Sequence, residues 1–111
     1  MKGPAMSTPI RNMTPEEVSA ALAADEILLI DVREPHEFAD ARIEGAVNYP
    51  LSTLDPSALP SAEGKYVVLS CAGGVRSVNA ALQCQAAGID IYDHLAGGLR
   101  AWAMAGLPVE R

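Results

Sequence analysis

Tyr66-Val67-Val68-Leu69-Ser70-Cys71-Ala72-Gly73-Gly74-Val75-Arg76-Ser77 decides how this chain is read, because an apolar run, a cysteine, two glycines and an arginine follow one another without a break. Tyr66 to Leu69 is short, apolar and β-branched, as in a strand buried within a parallel sheet. Ser77 to Ala87 reads as a helix stopped by Gly88. Cys71 therefore stands where a strand gives way to a helix, beside free backbone N–H groups and the positive end of the helix dipole. Arg76, five residues on, adds a fixed positive charge. Such surroundings draw a thiol's pKa from roughly 8.5 towards ~3.5–7.5, so the sulfur is read as a thiolate nucleophile at neutral pH. Gly73 and Gly74 can take the positive φ angles that turn successive N–H groups towards one centre.

Outward from this stretch, strands and helices alternate. Thr14 is a good N-cap with Pro15 at N1 and Glu17 at N3, which predicts a helix to about Ala23. A strand follows at Ile27 to Val32, at most a short helix at Glu37 to Asp40, and a short strand at Ala46 to Tyr49. Residues 52–64, rich in Pro, Ser and Asp, read as a connecting loop with one helical turn at Pro56 to Leu59. Beyond the Ser77 helix, a strand is expected at Ile89 to Tyr92 and a helix from about Gly98 to Ala105. No internal repeat occurs. This order predicts an α/β protein: an open parallel sheet flanked by helices on both faces, with the site at the C-terminal ends of the strands.

The 111 residues suit one domain, expected over 10–111. Met1 to Pro9 is a polar tail expected to be flexible, in which Met6 could be the native start and residues 1–5 a cloning remnant. A net charge of −6 argues against nonspecific binding to nucleic acid or to an anionic membrane. The first twenty residues hold no apolar stretch of signal-peptide length, and the longest apolar runs fall far short of the ~20 residues that span a bilayer. A cytoplasmic protein is expected, in which a cysteine with activating neighbours is reactive rather than bridged.

Four residues separate Cys71 from Arg76, and this Cys-x-x-Gly-x-Arg loop after a strand resembles the active loop of the rhodanese family of single-domain sulfurtransferases. Protein tyrosine phosphatases also place a Cys and an Arg around an anion, but with five residues between them and a wider loop. Other blocks carry the same resemblance from about Met13 to Val109. Thr14-Pro15-Glu16-Glu17 is similar to the family's opening helix start, and Leu29 to Phe38 to its Asp-Val-Arg-Glu block. Gly45-Ala46-Val47-Asn48-Tyr49-Pro50-Leu51 follows at the expected distance. Leu95 to Trp102 with Ala105 to Val109 resembles the family's ending of Gly-Gly, Trp and Ala-Gly-x-Pro-Val. The chain departs from the pattern at Ala41-Arg42-Ile43, where many members have Gly-His-Ile. It departs again at Ala72 and Gly73, where members that turn over thiosulfate well often carry a basic residue.

The resemblance implies that Cys71 attacks a sulfane sulfur, carries it as a persulfide, and passes it to a thiol, cyanide or protein acceptor. Ala72, Gly73, Gly74, Val75, Arg76 and Ser77 would bind the substrate, their N–H groups converging on the sulfur and Arg76 turned inward to an anion. Such a site needs no metal or organic cofactor. One cation missing from the loop, at roughly 1.5–3 kcal/mol per charge-assisted hydrogen bond, implies weak use of thiosulfate and a preference for a low-molecular-weight persulfide donor. A monomer is expected. A noncatalytic or regulatory binding module is the alternative from another class, and the arsenate or phosphate-ester chemistry of the wider-loop enzymes is a second enzymatic one. Asp31 and Arg33 read as structural support, able to pair on one face of their strand. His36 and His94 stand without ligand partners at metal spacing and read as surface or packing residues. Cys84, mid-helix without basic neighbours, and Trp102 read as core.

Overall fold

Helix α1 (Pro15–Ala23) forms where its sequence signals it, in a computed structural model that describes residues 10–111. The expectations for Met1 to Pro9 lie outside the described residues. The Thr14 hydroxyl accepts from the Glu17 N–H at 3.1 Å, and the Glu17 carboxylate accepts from the Thr14 N–H at 2.9 Å. This capping box satisfies two of the donors that a helix start leaves free.

Five strands build one wholly parallel sheet: β1 (Arg11–Met13), β2 (Ile27–Asp31), β3 (Val47–Asn48), β4 (Tyr66–Ser70) and β5 (Asp93–Leu95). Their order across the sheet is β1-β5-β4-β2-β3. The remaining helices are α2 (Pro35–Asp40), α3 (Val75–Ala86) and α4 (Gly98–Met104), with two short 3-10 turns at Leu51–Thr53 and Pro56–Ala58. β4 lies at the centre, paired with β2 over its whole length, so the residue following Ser70 emerges in the middle of the sheet's C-terminal edge. Ligand sites of open α/β sheets form at this edge.

Side chains alternate along β2 and β4, and each face buries its own core. Leu29 and Val68 join Val18 and Ala21 of α1 and Trp102 of α4 on one face. Ile30 and Leu69 join Ala80, Ala81 and Cys84 of α3 on the other, together with Val32 and Cys71. The helices therefore cover both faces. Trp102 also donates its indole N–H to the Pro108 carbonyl at 2.7 Å, which ties the C-terminal segment to the core.

Two strands differ from the sequence reading. β1 was not anticipated, because Arg11-Asn12-Met13 is polar and short, and only pairing with β5 makes it a strand. The strand expected at Ile89 to Tyr92 begins instead at Asp93. Ile89 donates its N–H back to Cys84 at 2.9 Å and Ile91 donates to Ile89 at 2.9 Å, so local bonds take the groups that a ladder would need. Ile91 still packs in the α3 layer, which explains its apolar pattern. Among the described residues, no helix is long and apolar enough to cross a membrane.

Candidate active site

Cys71 follows the last residue of β4, and Gly74, at φ +99°, starts α3 three residues later. The turn brings donors back onto the sulfur: Sγ accepts the Gly74 N–H at 3.1 Å and the Ser77 N–H at 3.3 Å, and lies 3.4 Å from the Ser77 hydroxyl. The carbonyls of the same loop are occupied elsewhere. Leu99 donates to the Cys71 carbonyl at 2.8 Å and Arg100 to that of Ala72 at 3.0 Å, so the first N–H groups of α4 hold the loop from behind. Gly98 makes this approach possible, because a Cβ there would collide with the Cys71 carbonyl and stand 2.7 Å from the Ala72 carbonyl carbon.

Cys71 is 1% exposed, at the bottom of this cup. Burial pushes its thiol pKa up, while the Ser77 hydroxyl and the N–H groups of Ser77, Gly74 and Gly73 pull it down. The donors prevail, and the pKa lies below the ordinary thiol value. The loop thus stabilises an anion at one atom. Gly73 and Val75 lie exposed on its rim.

Arg76 stands beside the loop, but its guanidinium grips Glu37 of α2 with two hydrogen bonds, at 2.7 and 3.0 Å. Arg76 and the Glu34 N–H hold the Glu37 carboxyl down at about 2, against the opposing effect of burial. The sequence reading turned Arg76 towards an anion in the loop and gave Glu37 no part. Asp31 and Arg33 pair with each other at 2.8 Å, both buried, and Arg33 also donates to the Ala41 carbonyl at 2.6 Å. Ala41 is extended, at φ −160°, so this turn does not require a glycine. Arg42 reaches the Phe38 and Ala39 carbonyls and pairs with Glu110 at 3.2 Å.

Sequence reasoning missed a second polar chain behind the sulfur. The Ser77 hydroxyl lies 2.8 Å from His94 Nδ1, and His94 Nε2 lies 2.7 Å from Asn12 Oδ1. Their positions, on α3, β5 and β1, give no shared sequence signal. Arg100 was missed too: its guanidinium carbon would stand 3.8 Å from a Cβ on Gly73. A shallow cavity of about 280 Å³ beside the loop is lined by Ala72, Leu99 and Arg100. A larger cleft, about 520 Å³, opens at the other end of the strands, by Ile27, Tyr66 and Asp93. Among the described residues, no group of three or more His, Cys, Asp or Glu is placed to hold a metal ion.

Known proteins resemble this chain in sequence and fold. The chain is 47% identical over 96 residues to an uncharacterized protein of Synechocystis sp., covering 86% of this chain but only 54% of that one. It is 31% identical over 101 residues to a sulfurtransferase of Allochromatium vinosum, covering 90% of this chain and 94% of the other. Among solved structures, a rhodanese-related protein of Thermoplasma volcanium superposes with a TM-score of 0.77 at 27% identity, over 90% of this chain and 97% of that one. The family model described as Rhodanese-like domain matches residues 14–105, from the cap of α1 to the end of α4 and thus around the whole Cys71 loop. The match spans the strand, the loop and the helix that frame Cys71, and the chain belongs to the rhodanese-like domain family.

Proposed function

We propose that this domain is a sulfurtransferase whose Cys71 takes a sulfane sulfur from a small-molecule donor and passes it to an acceptor. The observation that carries this reading is the pair of backbone N–H groups, from Gly74 and Ser77, directed at Sγ. They stabilise a thiolate for attack on the donor's outer sulfur, and stabilise it again when Cys71 leaves the persulfide. In the first step an S–S bond forms to Cys71 as the donor's leaving group departs with its electron pair. In the second, an acceptor nucleophile takes the outer sulfur and the thiolate is restored. The donors are fixed by the fold before substrate arrives, so no reorganisation is needed.

The donor class follows from charge. Ala72 and Gly73 bring no cation and Arg76 is committed to Glu37, which leaves Arg100, exposed on the rim beside Gly73, as the cation a thiosulfate dianion would meet. We infer that a persulfide of a small thiol is the better donor and that a thiol, cyanide or protein thiol accepts. Two unbridged cysteines fit a reducing, cytoplasmic setting, and a monomer suffices for this chemistry.

Treatment with glutathione persulfide followed by mass spectrometry should place one extra sulfur on Cys71. Cys71→Ser should keep the fold and lose that sulfur. A Cys71→Ser protein that still transfers sulfur, or a wild-type protein that takes none from any sulfane donor, would overturn the reading; the latter would favour a noncatalytic binding module.

A further inference from the structure

His94 is 4% exposed and Ser77 fully buried, yet every polar atom of the pair is engaged, in a line from the sulfur to the sheet edge. The distances run 3.4 Å from Cys71 Sγ to Ser77 Oγ, 2.8 Å from Oγ to His94 Nδ1, and 2.7 Å from His94 Nε2 to Asn12 Oδ1. Direction follows from donor capacity. Asn12 Oδ1 only accepts, so Nε2 carries the proton, and a neutral ring then leaves Nδ1 bare to accept the Ser77 O–H. The Ser77 oxygen is left to accept from the Cys71 thiol.

We propose that His94 is the proton acceptor for Cys71, reached through Ser77 and held in place by Asn12. The Cys71 S–H bond breaks as its proton passes to Ser77 Oγ, and the Ser77 proton passes to His94 Nδ1. The products are a thiolate and an imidazolium, with no proton or electron gained or lost by the group. No hydrogen bond is lost either. Ser77 now donates to the thiolate, Nδ1 donates to Ser77, and Nε2 still donates to Asn12. Burial holds the His94 pKa below its ordinary value, so the ring rests neutral, and the imidazolium is sustained by the thiolate it faces through Ser77 and by Asn12 Oδ1. His94 touches no substrate and acts through Ser77, so it is a positioning residue.

Few other charges bear on the ring. On β4 its neighbour in register is Leu69; on α3, Arg76 is occupied by Glu37; on its own strand, Asp93 points to the opposite face and pairs with Arg11 of β1 at 2.7 Å. Asn12 is exposed at the edge strand, so one end of the chain opens to solvent away from the cup's mouth.

The proposal concerns the nucleophile of the function proposed above, but it can be tested without a sulfur donor. The reaction of Cys71 with iodoacetamide, followed against pH by peptide mass spectrometry with alkylation of the fully buried Cys84 as the sign of unfolding, reads the thiolate fraction. His94→Gln should slow Cys71 at pH 7 by about tenfold, as a rise of one pKa unit requires. Asn12→Asp, an exposed substitution, decides the matter if His94→Gln fails to fold. A carboxylate behind an imidazolium favours the ion pair and should lower the apparent pKa of Cys71, whereas a carboxylate acting only as added negative charge would raise it. An unchanged rate in folded His94→Gln, or an unchanged or raised pKa in Asn12→Asp, overturns the proposal. Shifted alkylation without sulfur uptake would break the transfer reading alone, and sulfur uptake with unshifted alkylation would break the relay alone.

Discussion

Cys71 and Cys84 lie in the same apolar layer beneath α3, 1% and 0% exposed, yet their thiols are driven in opposite directions. Burial pushes Cys84 up with nothing to oppose it. Cys71 is also penalised by burial, but the donors at the start of α3 bring it below the ordinary value. The difference is position along one helix. At Cys84 the surrounding N–H groups are already spent on the helix ladder, whereas Cys71 precedes the first turn, where they are free. Exposure therefore does not decide which thiol holds its proton less tightly; the supply of unspent donors does.

The contrast can be broken most strongly at Gly74. Gly74→Ala forces a side chain into the left-handed region, at a cost of roughly 1–2 kcal/mol, and sets a Cβ 3.1 Å from the Gly97 nitrogen. Its N–H should swing off the sulfur, and iodoacetamide modification of Cys71 at pH 7 should fall by about tenfold, towards that of Cys84. A smaller effect is expected on the rim. Glu37→Gln releases one partner of Arg76 and should raise catalytic efficiency with thiosulfate several-fold, leaving persulfide donors little changed. Acid should break the same pair, read as stability rather than turnover: because Glu37 is depressed, its contribution is complete above the usual carboxylate pKa and is lost as pH falls through about 2, which a falling urea midpoint would register.

Cys84→Ala should sharpen the comparison from the other side. It removes a buried sulfur at a cost of about 1–2 kcal/mol in urea unfolding, with sulfur uptake at Cys71 unchanged. Its signature is pH-dependent. A thiol raised by folding binds its proton more tightly in the native state, so wild-type stability should decline above the ordinary thiol pKa, and Cys84→Ala should reduce that decline. Cys71 contributes with the opposite sign: its stabilisation is present above the ordinary value and is lost as pH falls through its depressed pKa.

What could be read from the sequence was what is local in it. α1 has its cap, proline and glutamate within four residues, and the Cys71 loop has its strand, glycines and helix start within a dozen. Arg76 and Glu37 are 39 positions apart, His94 and Asn12 are 82 apart, and no periodicity links either pair. The polar strand β1 exists only because β5 receives it, and β5 begins late because Ile89 and Ile91 are held by local bonds. His94 was read as a surface or packing residue; its burial excludes the surface, and its two nitrogens are also engaged by residues from other elements.

The depth of Cys71 sets a rule of reach. A disulfide-length bond extends about 2.05 Å, so a sulfur loaded onto Sγ would stand that much closer to the rim than Sγ itself. The bare thiol, 1% exposed, then offers a bulky molecule little to reach, while a sulfur carried on it would be the first atom met. Loading would then favour donors slim enough to enter the cup, and unloading would be open to larger acceptors.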